Sequence, residues 1–220
     1  KSLKRHVNDW VVTWTRFFFG LPFVVLIYLV GCNAIRIEWS LPFIVYSVLG
    51  GIAHMIATRS LMGCFSGHQF ASGMTFIKLE IIFTALIGLL IFNESVTVMG
   101  GCLIGVGFVG IALVSMGKSR LEISDIISSF GTPESLYGVM CGLCYACAGV
   151  LFRQANLSLP YVSSIDRGVV ALLVVIVIQT IMLSVFLLVR YPNDLKKIID
   201  HIPTAMSVGV LSVICTTCWF

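Results

Sequence analysis

Charge is what this chain has least of. Lysine, arginine, aspartate and glutamate together make up 11% of its residues, where a soluble domain carries about 25%. That scarcity excludes a soluble enzyme and a charge-rich disordered chain. It also excludes a basic nucleic-acid-binding face, because the net charge of +4 is confined to short polar gaps and speaks instead to membrane orientation. No His-x-x-His, Asp-x-x-Asp or similar cluster occurs. Membrane-embedded enzymes that work through metal or phosphate chemistry need such clusters, so no enzymatic activity, cofactor or metal is expected. Lys1-Ser2-Leu3-Lys4-Arg5-His6 runs straight into a long apolar stretch, with no small-residue cleavage site, so no secretory signal is read.

What fills the space is hydrophobic. Apolar residues make up 58% of the chain and the mean hydropathy is +1.03. A membrane-crossing helix needs about 20 mainly apolar residues. The stretches 11–30, 41–60, 69–92, 98–116, 136–152, 168–189 and 203–220 meet or approach that length. Alternating ten-residue strands of a barrel are absent, and lipid leaves helices as the remaining way to satisfy the backbone. The expected fold is an all-α, polytopic helical membrane bundle in contact with the lipid bilayer. Lys1 in place of Met, and Cys218-Trp219-Phe220 inside an apolar run, make both ends read as internal to a longer chain.

The layout repeats. Asp9 to Arg16 precede one long apolar run and Pro160 to Arg167 precede another. After each comes a polar gap and then a proline opening the next span, Pro42 and Pro203. An odd number of spans separates Arg16 from Arg167, so the second copy is inverted. Inverted repeats are a transporter architecture with the substrate site near the midplane. Residues 1–116 form the first repeat, 117–135 the connection and 136–220 the second. In the connection, Thr132-Pro133-Glu134 reads as a helix start. The cationic gap residues Lys1, Lys4, Arg5, Arg59, Lys118, Arg120, Arg190, Lys196 and Lys197 fall on the N-terminal side, against Arg36 and Arg153 opposite. This bias places the N-terminal side in the cytoplasm.

The sharpest polar signal is Lys78-Leu79-Glu80, close to the middle of 69–92. Insertion scales charge about 2.5–3.5 kcal/mol for one such residue at a helix centre. Two positions apart on one helix, the side chains diverge by about 200° and do not pair. The functional reading gives Lys78 an anionic substrate group and Glu80 a proton or cation; the structural alternative locks each in an interhelical ion pair. His54 in the second span and Arg16 in the first complete the candidate binding set. His68, Gln69 and Gln179 are weaker candidates. Trp10, Trp14, Trp39 and Tyr161 fit an interfacial aromatic belt. Gly101 and Gly105, and Gly138, Gly142 and Ala146, have the spacing of close helix packing, and Pro22 suggests a kink. The cysteines read as reduced. The spacing of Cys141, Cys144 and Cys147 resembles an iron–sulfur run, but steps of three on one helix spread the thiols by about 60° each.

The segment Thr84-Ala85-Leu86-Ile87-Gly88-Leu89-Leu90-Ile91-Phe92-Asn93-Glu94, followed by Gly101-Cys102-Leu103-Ile104-Gly105-Val106-Gly107 and Ile111-Ala112-Leu113-Val114-Ser115, resembles the EamA family of the drug/metabolite transporter superfamily. Asn93 stands where the family usually has glycine, and Lys78-Leu79-Glu80 replaces the common Pro-Val. Arg16 matches an arginine that often opens the family's second helix. The resemblance implies ten helices in two inverted five-helix repeats, of which this chain covers helices two to seven and most of the eighth. For family members with a cytoplasmic N-terminus, it also implies the orientation opposite to the charge bias. The function it implies is secondary transport of a small metabolite or drug by alternating access, proton- or gradient-coupled, in the cell membrane. The alternatives are a non-transporting membrane assembly subunit and a membrane-embedded lipid-modifying enzyme. Substrate identity and oligomeric state are left open by the sequence.

Overall fold

A computed structural model of the chain describes residues 8–31, 37–64, 73, 76–92, 97–119, 133–160, 163–196, 198 and 202–217. The elements among these residues are all helical: α1 (Asp9–Phe18), α2 (Leu21–Gly31), α3 (Leu41–Cys64), α4 (Glu80–Phe92), α5 (Val98–Ser119), α6 (Pro133–Leu157), α7 (Ser164–Arg190), α8 (Pro192–Lys196) and α9 (Ile202–Thr217). Four spans are long and apolar enough to cross a membrane: Asp9–Gly31, Leu41–Cys64, Ser135–Leu157 and Ser164–Arg190. The apolar stretches Glu80–Phe92, Val98–Gly107 within α5, and Ile202–Thr217 are shorter. Large apolar side chains such as Leu90, Val106, Val185, Val189 and Leu211 stay exposed along these helices. Water penalises such a surface and lipid does not. The chain has the helices of a membrane bundle.

The chain divides into two compact units, residues 1–55 with 151–220, and residues 56–150. The first unit therefore draws on both sequence halves. Its centre is α7, against which α1 and α2 pack. Every residue from Gly168 to Ile176 is buried, as expected for a helix apolar on all sides. Ser163 caps α7 by accepting the Asp166 N–H, and Asn8 caps α1 by accepting the Trp10 N–H. Two apolar clusters hold the unit: Phe43, Ala155, Leu159, Val170, Ala171 and Val174 in one, and Val24, Leu172, Leu173, Ile176 and Val213 in the other.

The kink expected at Pro22 is a full interruption. Pro22 has no N–H to offer the Phe18 carbonyl, and its ring crowds that carbonyl. α1 stops at Phe18 and α2 starts at Leu21, with Pro22 inside its first turn, where a missing N–H costs nothing. Gly20, at the break, lies against α9. A Cβ there would stand 2.8 Å from Val213, and one at Gly209 would stand 2.6 Å from the Phe19 Cβ.

In the second unit, glycine again permits close approach. A Cβ on Gly142 would stand 2.8 Å from the Ile77 carbonyl oxygen and 3.2 Å from the Glu80 nitrogen, and one on Gly138 would overlap the Gly73 carbonyl. The packing role read for Gly138 and Gly142 is present. For Gly101 and Gly105 it is not found among the described residues: nothing lies within 4 Å of a Cβ at either position. Cys64, Ile77 and Cys141 form a small core flanked by Leu61 and Tyr145. Cys64, Cys102, Cys141, Cys144, Cys147 and Cys215 form no disulfide among the described residues. Among the described residues no group of His, Cys, Asp or Glu is placed to hold a metal ion. Asn93, Glu94, Thr132, Tyr161, His68, Gln69, Cys32 and Cys218 lie outside the described residues.

Candidate functional site

Arg16 and His54, candidates from different spans, fall in the same unit together with Gln179 from the middle of α7. Gln179 is fully buried and His54 nearly so. The amide nitrogen of Gln179 donates to the Gly51 carbonyl oxygen at 3.2 Å and meets His54 Nδ1 at 2.9 Å. A carbonyl only accepts, so the Gly51 contact fixes which end of the amide faces α3. Nδ1 of His54 is then the acceptor, and the neutral ring carries its proton on Nε2. Phe17 and Phe152 wall the imidazole edge-on, with ring centroids 5.6 and 5.9 Å away. Gly51 lies in contact with Gln179: a Cβ there would sit 3.4 Å from the glutamine Cγ, an ordinary van der Waals distance.

The other end of that amide is left unsatisfied among the described residues. Gln179 Oε1, Ser47 Oγ and Thr180 Oγ1 are buried with no hydrogen-bond partner among the described residues. A buried acceptor left empty costs about 1–3 kcal/mol. Ser47, Gly51 and His54 follow one another at steps of four and three, and so share a face of α3. This polar stripe inside an apolar helix calls for water or the donor groups of a solute.

Arg16 sits in the last turn of α1, where the helix dipole favours a cation. Its Nε–H donates to Ser212 Oγ on α9 at 3.1 Å, and it stays partly exposed. Two residues earlier, Trp14 is buried, with its indole N–H donating to Ser184 Oγ at 2.7 Å and its ring stacked on Phe18. Trp14 is thus an interior residue and not part of an interfacial belt: the belt reading rested on residue type, while a tertiary partner decides the position. Trp39 is exposed, as a belt residue would be. Arg167, aligned with Arg16 in the repeat expected from the sequence, bonds Ser164 in its own first turn at 3.1 Å.

Lys78 and Glu80 belong to the other unit. The uninterrupted span expected over 69–92 is broken at these residues. Lys78 and Leu79 form a turn, with the Leu79 N–H bonded to the Phe76 carbonyl, and α4 begins at Glu80. The two residues therefore stand at a helix start and not in a helix middle, and no ion pair joins them. Lys78 is exposed. Glu80 is half-buried and lines a cavity of about 340 Å³ with Ile81, Thr84, Ala85, Gly88, Leu89 and Ile104. Positions 80, 84 and 88 form one face of α4, so the cavity is a groove between α4 and α5 with a carboxylate at one end. A second cavity, about 290 Å³, lies between the first turns of α7 and the end of α9 and is lined by Ser164, Ile165, Gly168, Val169, Leu172 and Thr217.

The sequence flagged Gln179 as a mid-span amide but gave it no partner. Ser212 carried no signal, because isolated hydroxyls are common in apolar helices. No protein-family model, curated protein or solved structure matches the chain.

Proposed function

We propose that this chain is a multi-pass membrane transporter that moves a small solute by alternating access, driven by a proton or solute gradient. The observation that carries the reading is the buried pair of His54 and Gln179 inside apolar helices, with Arg16 bonded to Ser212 in the same unit. Intramembrane polar and ionisable groups are costly and mark solute or proton paths. The interruption of one span beside Arg16 supports it, because broken helices line binding sites in such proteins. So does the resemblance of Thr84 to Ser115 to the EamA pattern. In this reading the chain contributes about seven spans of two inverted repeats to the plasma membrane fold. Glu80, at the mouth of its groove, binds the coupling proton or cation, and Lys78 draws an anionic group towards the start of α4.

The test is uptake by the complete protein in proteoliposomes. Vesicles are offered a mixture of amino acids, organic acids, sugar phosphates, nucleosides and organic amines under an imposed pH gradient, and their contents are read by mass spectrometry. Enrichment of one class over protein-free vesicles, abolished by collapsing the gradient, is expected. If no compound is enriched with the gradient intact, the transport reading falls and an assembly or lipid-modifying role takes its place.

A further inference from the structure

We infer that Arg16 is the anchor for an oxyanion, a carboxylate or phosphate group, on the solute that the transporter reading requires. Arginine stays protonated under all ordinary conditions, so a full positive charge is held among apolar helices. A charge there needs a counter-charge or water. Among the described residues Arg16 makes one hydrogen bond, from Nε to the Ser212 hydroxyl, and no ion pair. The acidic residues in the first turns of the helices around it, Asp9 on α1 and Asp166 on α7, do not pair with it. His54 is neutral, with Nδ1 already engaged by Gln179, and supplies no negative charge. The end of α1 offers only the partial negative charge of its dipole.

The geometry then favours one kind of guest. Ser212 pins the guanidinium through Nε, and among the described residues neither terminal amino group of the planar fork has a partner. That pair matches the two oxygens of a carboxylate or phosphate. Arg16 keeps partial exposure, so the fork is reachable. The break at Phe19 and Gly20 lies directly beyond it, where non-helical backbone at membrane depth is tolerated only beside protein or water.

The experiment is thermal unfolding of the complete, detergent-purified protein titrated with succinate or inorganic phosphate. Chloride at equal ionic strength and glucose serve as references. One oxyanion is expected to raise the midpoint in a saturable way, and comparison of the two arms assigns carboxylate or phosphate. Arg16→Gln should weaken that response roughly thirty-fold, as removing one partner of a desolvated charge pair does. Arg16→Lys, which keeps the charge but loses the fork, should fall between the two, and Ser212→Ala should weaken it less. The inference is overturned if neither oxyanion acts beyond chloride, or if Arg16→Gln responds like the wild type. Should Arg16→Gln not fold, equal responses from wild type, Arg16→Lys and Ser212→Ala overturn it as well. Saturable binding without uptake in vesicles would remove the transport reading and keep the anion site. Uptake of a neutral or cationic solute that Arg16→Lys leaves unchanged would do the reverse.

Discussion

The two compact units place their candidate residues in different settings. In the first, polar side chains are drawn inward and joined across helices: Gln179 to His54 and Gly51, Arg16 to Ser212, Trp14 to Ser184. In the second, the chain breaks its own helix at Lys78 and Leu79, leaving Glu80 beside an open groove. Desolvation explains the difference. A polar side chain inside a continuous apolar helix must find a partner on another helix, whereas one at a helix start has the helix end and adjoining space to face. Buried networks specify packing, and groove-side charges leave room for exchange.

That contrast sets the predictions. Gly142→Leu should do the most damage, because the side chain would be driven into the backbone at Ile77 and Glu80. A loss of about 3 kcal/mol is expected, visible as aggregation on size-exclusion chromatography; normal folding would show that the second unit is not held by this approach. Gln179→Leu should cost about 2 kcal/mol, by stripping the Gly51 carbonyl and His54 Nδ1 of their shared donor. Because the same change deletes the orphan Oε1, a smaller loss in thermal unfolding would show how much that empty acceptor already costs. Trp14→Phe removes the bond to Ser184 at a cost of about 1 kcal/mol, again read by thermal unfolding, and an interfacial Trp14 would lose nothing. Glu80→Gln should leave stability within about 0.5 kcal/mol but flatten the pH dependence of uptake in vesicles; an unchanged pH profile would take Glu80 out of coupling. Gly105→Ala meets open space and should be neutral or stabilising by up to about 1 kcal/mol, unless another surface covers that face in the membrane.

Much of the fold was legible because hydropathy and length are local quantities. The long helices Leu41–Cys64, Ser135–Leu157 and Ser164–Arg190 overlap the stretches read as 41–60, 136–152 and 168–189. Pro22 marked its break through a missing N–H. The interruption at Lys78 was not legible, since an apolar run with two charges in it has the composition of a span whether or not its helix is continuous. Arg16 and His54 stood out as costly groups in apolar runs, yet nothing in their spacing showed that Gln179 and Ser212 would meet them, at separations of 125 and 196 residues. Trp14 went the other way: its residue type suggested an interface, and Ser184 drew it inside.

From its residues alone this chain was bound to be helical and apolar, because too little charge is present to face water and lipid leaves the backbone few ways to satisfy itself. Which polar groups meet was decided only when the helices came together, since a hydrogen bond between distant residues depends on the rotation and depth of each helix, and these are set by packing contacts such as Gly20 against Val213 and Gly51 against Gln179.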